Sequence, residues 1–240
     1  MPARKFNPLV ELAFTILIPA LILMKLSGAE ALGTVNALLL ALAFPLGWGA
    51  LEFLRYGKPG WMALLGLVSV MLTGGIGLLA LDPQWLAVKE AAVPGLIGLV
   101  VLASVKTRYP LVRTLLFNPA LIDIARVQQE LAERGTQASF ESRLRFANHL
   151  LAGTFFFSSA MNYALASWIV TSPAGSEAFN EELGRLTLLS YPVIALPSML
   201  MMAGLLFFLG RSAQQLSGLK IADMLRTASP DKQGRPEEWR

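Results

Sequence analysis

The chain has no cysteine among its 240 residues, which excludes disulfides, thiolate metal sites, catalytic thiols and palmitoylation. It has a single histidine, His149, so bis-histidine haem ligation within one chain and catalysis by a histidine pair are excluded too. Charge is scarce: Asp, Glu, Lys and Arg make up 15% of the residues, against roughly 25% in a soluble domain. The signatures H-E-x-x-H and G-x-S-x-G and the phosphate-binding P-loop are missing, and no close pair of acidic residues falls at membrane depth. The chain therefore reads as non-enzymatic, with no catalytic residue, metal ligand or cofactor implied.

What fills the sequence instead is apolar surface, 55% of residues being hydrophobic with a mean hydropathy of +0.56. A bilayer has to be the solvent for such a chain. The net charge of +4 does not indicate nucleic acid, because the basic residues lie between apolar runs, where they orient a membrane protein.

About 20 apolar residues cross the roughly 30 Å of bilayer hydrocarbon. Such runs are read at about 8–24, 33–54, 61–81, 88–105, 146–170 and 186–209, giving an all-α polytopic domain of six transmembrane helices over 1–210. Asn7 and Pro8 suit the N-cap and first position of the first helix. A cleaved signal peptide is the alternative there, with Arg4 and Lys5 ahead of the core and Ala29, Glu30 and Ala31 in A-x-A form. Glu11 within the core and the length of the run argue against it. Between the fourth and fifth spans lies a polar loop, 106–145, in which Asn118 and Pro119 start an amphipathic helix that Gly135 ends. That helix lies along the membrane face or packs, solvated, against the bundle. The tail, 211–240, is polar and expected to be largely disordered after one short amphipathic turn near Leu219 to Leu225.

The lysines and arginines alternate with the spans. With both termini cytoplasmic, Lys25, Lys89 and Arg185 are the members of the 20 that fall outside, while the tight turn at Arg55 and Lys58, the central loop and the tail hold the rest with Arg4 and Lys5. This is the positive-inside pattern, and it turns the basic segments and both termini toward the anionic lipids of a cytoplasmic membrane face.

The hairpin from Gly66 to Ala92 joins an uncharged membrane-length run to the sharp polar turn that ends it. Ser69, Thr73 and Gly77 recur every four residues and share one helical face, which Gly66 and Gly74 widen for close packing. Polar residues in or beside the spans are the functional candidates: Glu11, Glu52, Lys89, Glu90, Asn148, His149 and Asn162. The simpler readings are interfacial carboxylates near Lys5 or Arg55 for Glu11 and Glu52, and an interfacial hydrogen bond for His149. On the outer side, Glu177, Glu181, Glu182 and Arg185 either pair with Lys89 and Glu90 as a latch or form a solvated acidic rim. Gly74 and Gly75 in the third span and Pro192 and Pro197 in the sixth are read as helix breaks at corresponding places in two halves, a pattern that in transporters marks a midplane site. Kinked packing without transport is the rival explanation.

The segments NPLVELA at Asn7, LTGGIGLLALDPQWLAVKEA at Leu72, TRYPLVRTLLFNP at Thr107 and the run from Thr171 to Ser198 resemble a family of bacterial six-span inner-membrane proteins, some of them labelled as transporters of the major facilitator type. The hairpin at Leu72 to Ala91 is also similar, more distantly, to the intracellular septation protein A family, whose members are linked to envelope growth and division. The resemblance implies a location and a protein type, and no ligand residues. The function expected is transport or binding of a small solute or lipid within the bundle. The alternative is a scaffold for cell-envelope growth or division; the partners in view are envelope-assembly proteins and further copies of the chain as a homo-oligomer, and not nucleic acid.

Reporter tags at the N-terminus, within 106–145 and after Arg226 are expected to be cytoplasmic, and a tag within 171–182 to be on the far side. A periplasmic central loop would overturn the six-span topology.

Overall fold

The structure, a computed structural model, describes residues 8–56, 61–105, 111–112 and 123–224. Among them every regular element is helical: α1 Pro8–Leu12, α2 Ile18–Leu26, α3 Gly33–Tyr56, α4 Trp61–Leu78, α5 Gln84–Ser104, α6 Ile124–Glu133, α7 Gln137–Ile169, α8 Glu177–Ser190, α9 Leu196–Ser217 and α10 Ile221–Met224. Two π-helical turns, Ala13–Leu17 and Tyr191–Ala195, join α1 to α2 and α8 to α9. Three helical stretches are long and apolar enough to cross a bilayer, Gly33–Leu51, Gln84–Ser104 and Glu177–Ser217. Large apolar side chains such as Leu54, Trp168 and Phe207 are exposed, a surface suited to lipid and a liability in water. The fold is that of a helical membrane protein.

The helices outrun the apolar runs that betray them. α7 begins at Gln137 and α8 at Glu177, each well before the apolar stretch it leads into, because a helix needs backbone hydrogen bonds and caps, not hydrophobicity. The Ser176 hydroxyl accepts the Phe179 N–H at 3.1 Å to start α8. Likewise Asp123 accepts the Arg126 N–H at 3.1 Å to start α6, and Gly135, at a φ of 67°, ends it. The expected start of that helix at Asn118 lies outside the described residues. α9 continues past the end of the sixth apolar run through Ser217, with Ser212, Ala213 and Ser217 buried, and α10 follows where one short amphipathic turn is expected. The polar letters of this stretch conceal one apolar face.

The expected break at Gly74 and Gly75 is corrected. α4 runs through them unbroken, since glycine loosens a helix yet keeps its N–H, whereas proline removes a donor from the ladder. The irregular turns instead stand immediately ahead of Ile18–Pro19 and Leu196–Pro197. In each, an N–H reaches five residues back, Ile18 to the Ala13 carbonyl and Leu196 to the Tyr191 carbonyl, so the chain passes the coming proline with a re-registered ladder.

By internal contacts the chain forms two compact units, residues 1–98 with 154–200, and 99–153 with 201–240. The first has its core in Leu38, Leu86, Phe179, Leu183 and their neighbours. Close approach is set by glycines: a Cβ on Gly77 would lie 2.7 Å from Leu38 Cδ2 and one on Gly74 2.7 Å from Leu42 Cδ1, so both glycines face α3. At Gly184 a Cβ would lie 2.7 Å from the Ala20 carbonyl oxygen, so α8 rests nearly backbone to backbone on α2. In this unit Asn180, fully buried, donates to the Thr34 carbonyl at 2.8 Å and to Ser27 Oγ at 3.0 Å, tying α8 to the turn between α2 and α3.

The second unit is pinned by Asn148, 0% exposed, whose amide donates to the Val101 carbonyl at 2.6 Å and whose oxygen accepts the Val112 N–H at 3.0 Å. Thr136 donates to the Leu216 carbonyl at 2.8 Å and Arg143 to Gln215 at 2.8 Å, which holds α9 in place. Val127 and Leu131 of α6 are buried here while Arg126, Gln129 and Glu133 stay exposed, an i, i+4 amphipathic face.

Gly184→Ala is expected to lower the melting temperature in detergent, because a backbone carbonyl cannot rotate away, at a cost of about 1–3 kcal/mol. Gly75→Ala, which meets nothing within 4 Å, is expected to be neutral or to raise it. Equal effects would show that the close approach of α8 to α2 does not hold the unit together.

Candidate functional site

The site is built on the α4–α5 hairpin. Asp82 accepts the Gln84 N–H at 2.8 Å and so starts α5, which places Lys89 opposite the face that carries Ser69 and Thr73. The lysine side chain is 9% exposed, and its ammonium donates to Thr73 Oγ1 at 2.7 Å and to Ser69 Oγ at 3.2 Å, with Glu90 Oε1 at 2.6 Å. An ammonium has three N–H groups, and three acceptors meet it. The Glu90 carboxylate is more open, at 31%.

These groups open onto a cavity of about 270 Å³ within the first unit. Its apolar wall is Pro19, Leu38, Leu42, Leu183 and Leu186. Its polar wall adds Thr15, Asn162, Thr187, Ser190 and Tyr191 to the lysine cluster. Thr15 and Tyr191 belong to the two π-helical turns of the described residues, so both of these turns border the same space. Such turns occur often where a protein binds or reacts, since they displace side chains from helical register.

The orientation of the polar wall is set by its own helices. Thr15 donates to the Glu11 carbonyl at 2.7 Å, Thr187 to the Leu183 carbonyl at 2.9 Å and Ser190 to the Thr187 carbonyl at 2.8 Å. Thr73 donates back to Ser69 at 3.1 Å, and the Asn162 amide donates to the Ser158 carbonyl at 2.8 Å. A hydroxyl whose proton is committed in this way can only accept from anything else.

Of the residues singled out by sequence, Ser69, Thr73, Lys89, Glu90 and Asn162 come together here. Gly74 and Gly77 pack against α3, and Gly75 faces open space. Pro192 lies within the second π-helical turn and Pro197 just beyond it. Glu11 is half-buried in α1, and the Glu52 side chain lies outside the described residues. Lys89 pairs with its chain neighbour Glu90 rather than with a glutamate of the 171–185 segment. Glu181 pairs with Arg185 one turn on, at 2.6 Å on an exposed surface, and Glu182 accepts the Thr171 and Ser172 N–H groups at 3.0 and 2.9 Å, closing the bend between α7 and α8. His149 is exposed, with Nδ1 2.8 Å from the Arg145 carbonyl of the preceding turn. Sequence reasoning missed Thr15, Thr187, Ser190 and Tyr191. The available signal was the proline of Ile18–Pro19 and Leu196–Pro197, each inside an apolar run and each preceded by hydroxyl-bearing residues.

Comparison with protein-family profiles, curated proteins and solved structures finds no match to this chain.

Thr73→Val deletes an acceptor from a nearly buried ammonium and is expected to lower stability by about 1–3 kcal/mol, read as the melting temperature in detergent. Thr73→Ser keeps the oxygen and is expected to lose much less. Equal losses from the two variants would show that methyl packing, not the lysine contact, is what Thr73 supplies.

Proposed function

We propose that this chain is a non-enzymatic bacterial inner-membrane protein of six spans, with both termini cytoplasmic, that takes a small solute or the polar part of a lipid into the cavity beside Lys89. The observation that carries the reading is the position of the lysine. An ammonium nearly buried among apolar helices is costly, and such groups ordinarily face a cavity or partner. Here it faces both a paired carboxylate and an open space bordered by two π-helical turns. The rival scaffold reading is less well supported, because the small-residue face at Gly74 and Gly77 is already covered by Leu42 and Leu38 of the same chain.

The absence of native cysteine makes accessibility a direct test. Thr187→Cys and Asn162→Cys, on the cavity wall, are expected to react with neutral 2-hydroxyethyl methanethiosulfonate in detergent-solubilised protein at least tenfold faster than Leu165→Cys in the core. If the wall cysteines are as inert as the core one, the bundle is dry and the solute reading fails in favour of a scaffold.

A further inference from the structure

We infer that the occupant of this cavity is a small ammonium-bearing molecule with an apolar body, and that Lys89 is the cation it competes with. The inference rests on the solute-binding reading above and adds the chemical class of the solute.

The presence of a lysine would at first favour an anion. The hydrogen bonds argue otherwise. The Lys89 ammonium already meets Thr73, Ser69 and Glu90, so an incoming carboxylate or phosphate finds its donors occupied. Most of the polar wall offers no donors to replace them. The protons of Thr15, Thr73, Thr187 and Ser190 all point back to backbone carbonyls, and the Asn162 amide is turned to Ser158. Ser69 and Tyr191 can turn their O–H groups either way. What the wall presents is oxygen: hydroxyl lone pairs, the Asn162 carbonyl and the second oxygen of the Glu90 carboxylate. An acceptor-rich wall suits a ligand that donates, and an ammonium donates three times.

Charge narrows the choice further. Glu90 is the carboxylate on this wall, and in a low-dielectric bundle one carboxylate neutralises one cation. A ligand ammonium and the Lys89 ammonium therefore exclude one another at Glu90. The lysine acts as a tethered stand-in, holding the acceptors in place while the ligand is away. Because Glu90 is the more open partner, it is the one an arriving cation meets first. The apolar wall opposite, including Leu42 and Leu186, receives a short hydrocarbon body.

The experiment uses the full chain carrying Thr187→Cys in detergent and follows its modification by neutral 2-hydroxyethyl methanethiosulfonate in the presence of n-butylammonium chloride or sodium butyrate at equal ionic strength. n-Butylammonium is expected to slow labelling at least fivefold at a concentration where butyrate does not, and Glu90→Gln is expected to abolish that protection. Lys89→Met, which removes the competitor, is expected to lower the n-butylammonium concentration needed for half-protection at least fivefold. Should Lys89→Met fail to fold, the comparison of the two salts and the Glu90→Gln variant still decide. Protection by butyrate equal to or better than that by n-butylammonium, protection by neither, or protection that survives Glu90→Gln would each overturn the cationic solute while leaving the cavity reading intact. A Thr187→Cys thiol that never reacts would overturn the cavity reading, and this inference with it.

Discussion

Inside a bilayer a backbone N–H or C=O has no water to turn to, and each one left unpaired costs several kcal/mol. Much of this structure follows from meeting that requirement where the sequence makes it difficult. Pro19 and Pro197 each remove a donor from an apolar helix, and the chain answers with a π-helical turn just ahead of each. Serine and threonine hydroxyls within the helices donate to carbonyls three or four residues back, as Thr15, Thr187 and Ser190 do. The same necessity explains the buried Asn148, which pairs the backbone groups at Val101 and Val112 where α5 gives way to irregular chain.

The hydroxyls that satisfy backbone carbonyls acquire a second property by doing so. With the proton spent on the carbonyl, each presents only lone pairs outward, and a group of them around one space becomes a surface for donors. The Lys89 ammonium is the donor this structure holds there, close to Thr73 and Glu90. Neutral overall, the pair leaves no uncompensated charge among the helices, which is the condition for a lysine to persist beside apolar walls such as Leu38 and Leu183. Structure and candidate chemistry thus share one origin in hydrogen-bond supply.

Glycine supplies geometry rather than chemistry. Gly77 and Gly74 let Leu38 and Leu42 approach α4, and Gly184 lets the Ala20 carbonyl come against α8. Without a hydrophobic driving force between helices in lipid, such close contact is the principal source of attraction. It also fixes the distance between α3, α4 and α8, the helices that frame the cavity, so small residues far from the lysine set the size of the space beside it.

The order of amino acids by itself determined the helical class and the membrane setting, because both depend on composition and on runs that need no partner: the apolar stretches that became α3, α5 and the α8–α9 helix are visible as letters. It also placed Ser69 and Thr73 on one face, since helical periodicity alone does that. It did not reveal that Lys89 reaches across to them from another helix, or that Thr15 and Tyr191, far apart in the chain, border the same cavity. Nor did it separate the glycines: Gly75 and Gly184 look alike as letters, yet a Cβ at one would find open space and at the other a carbonyl oxygen. Those facts were decided by tertiary structure, because a hydrogen bond or a close contact between helices depends on their rotation and register, which no single helix carries in its own sequence.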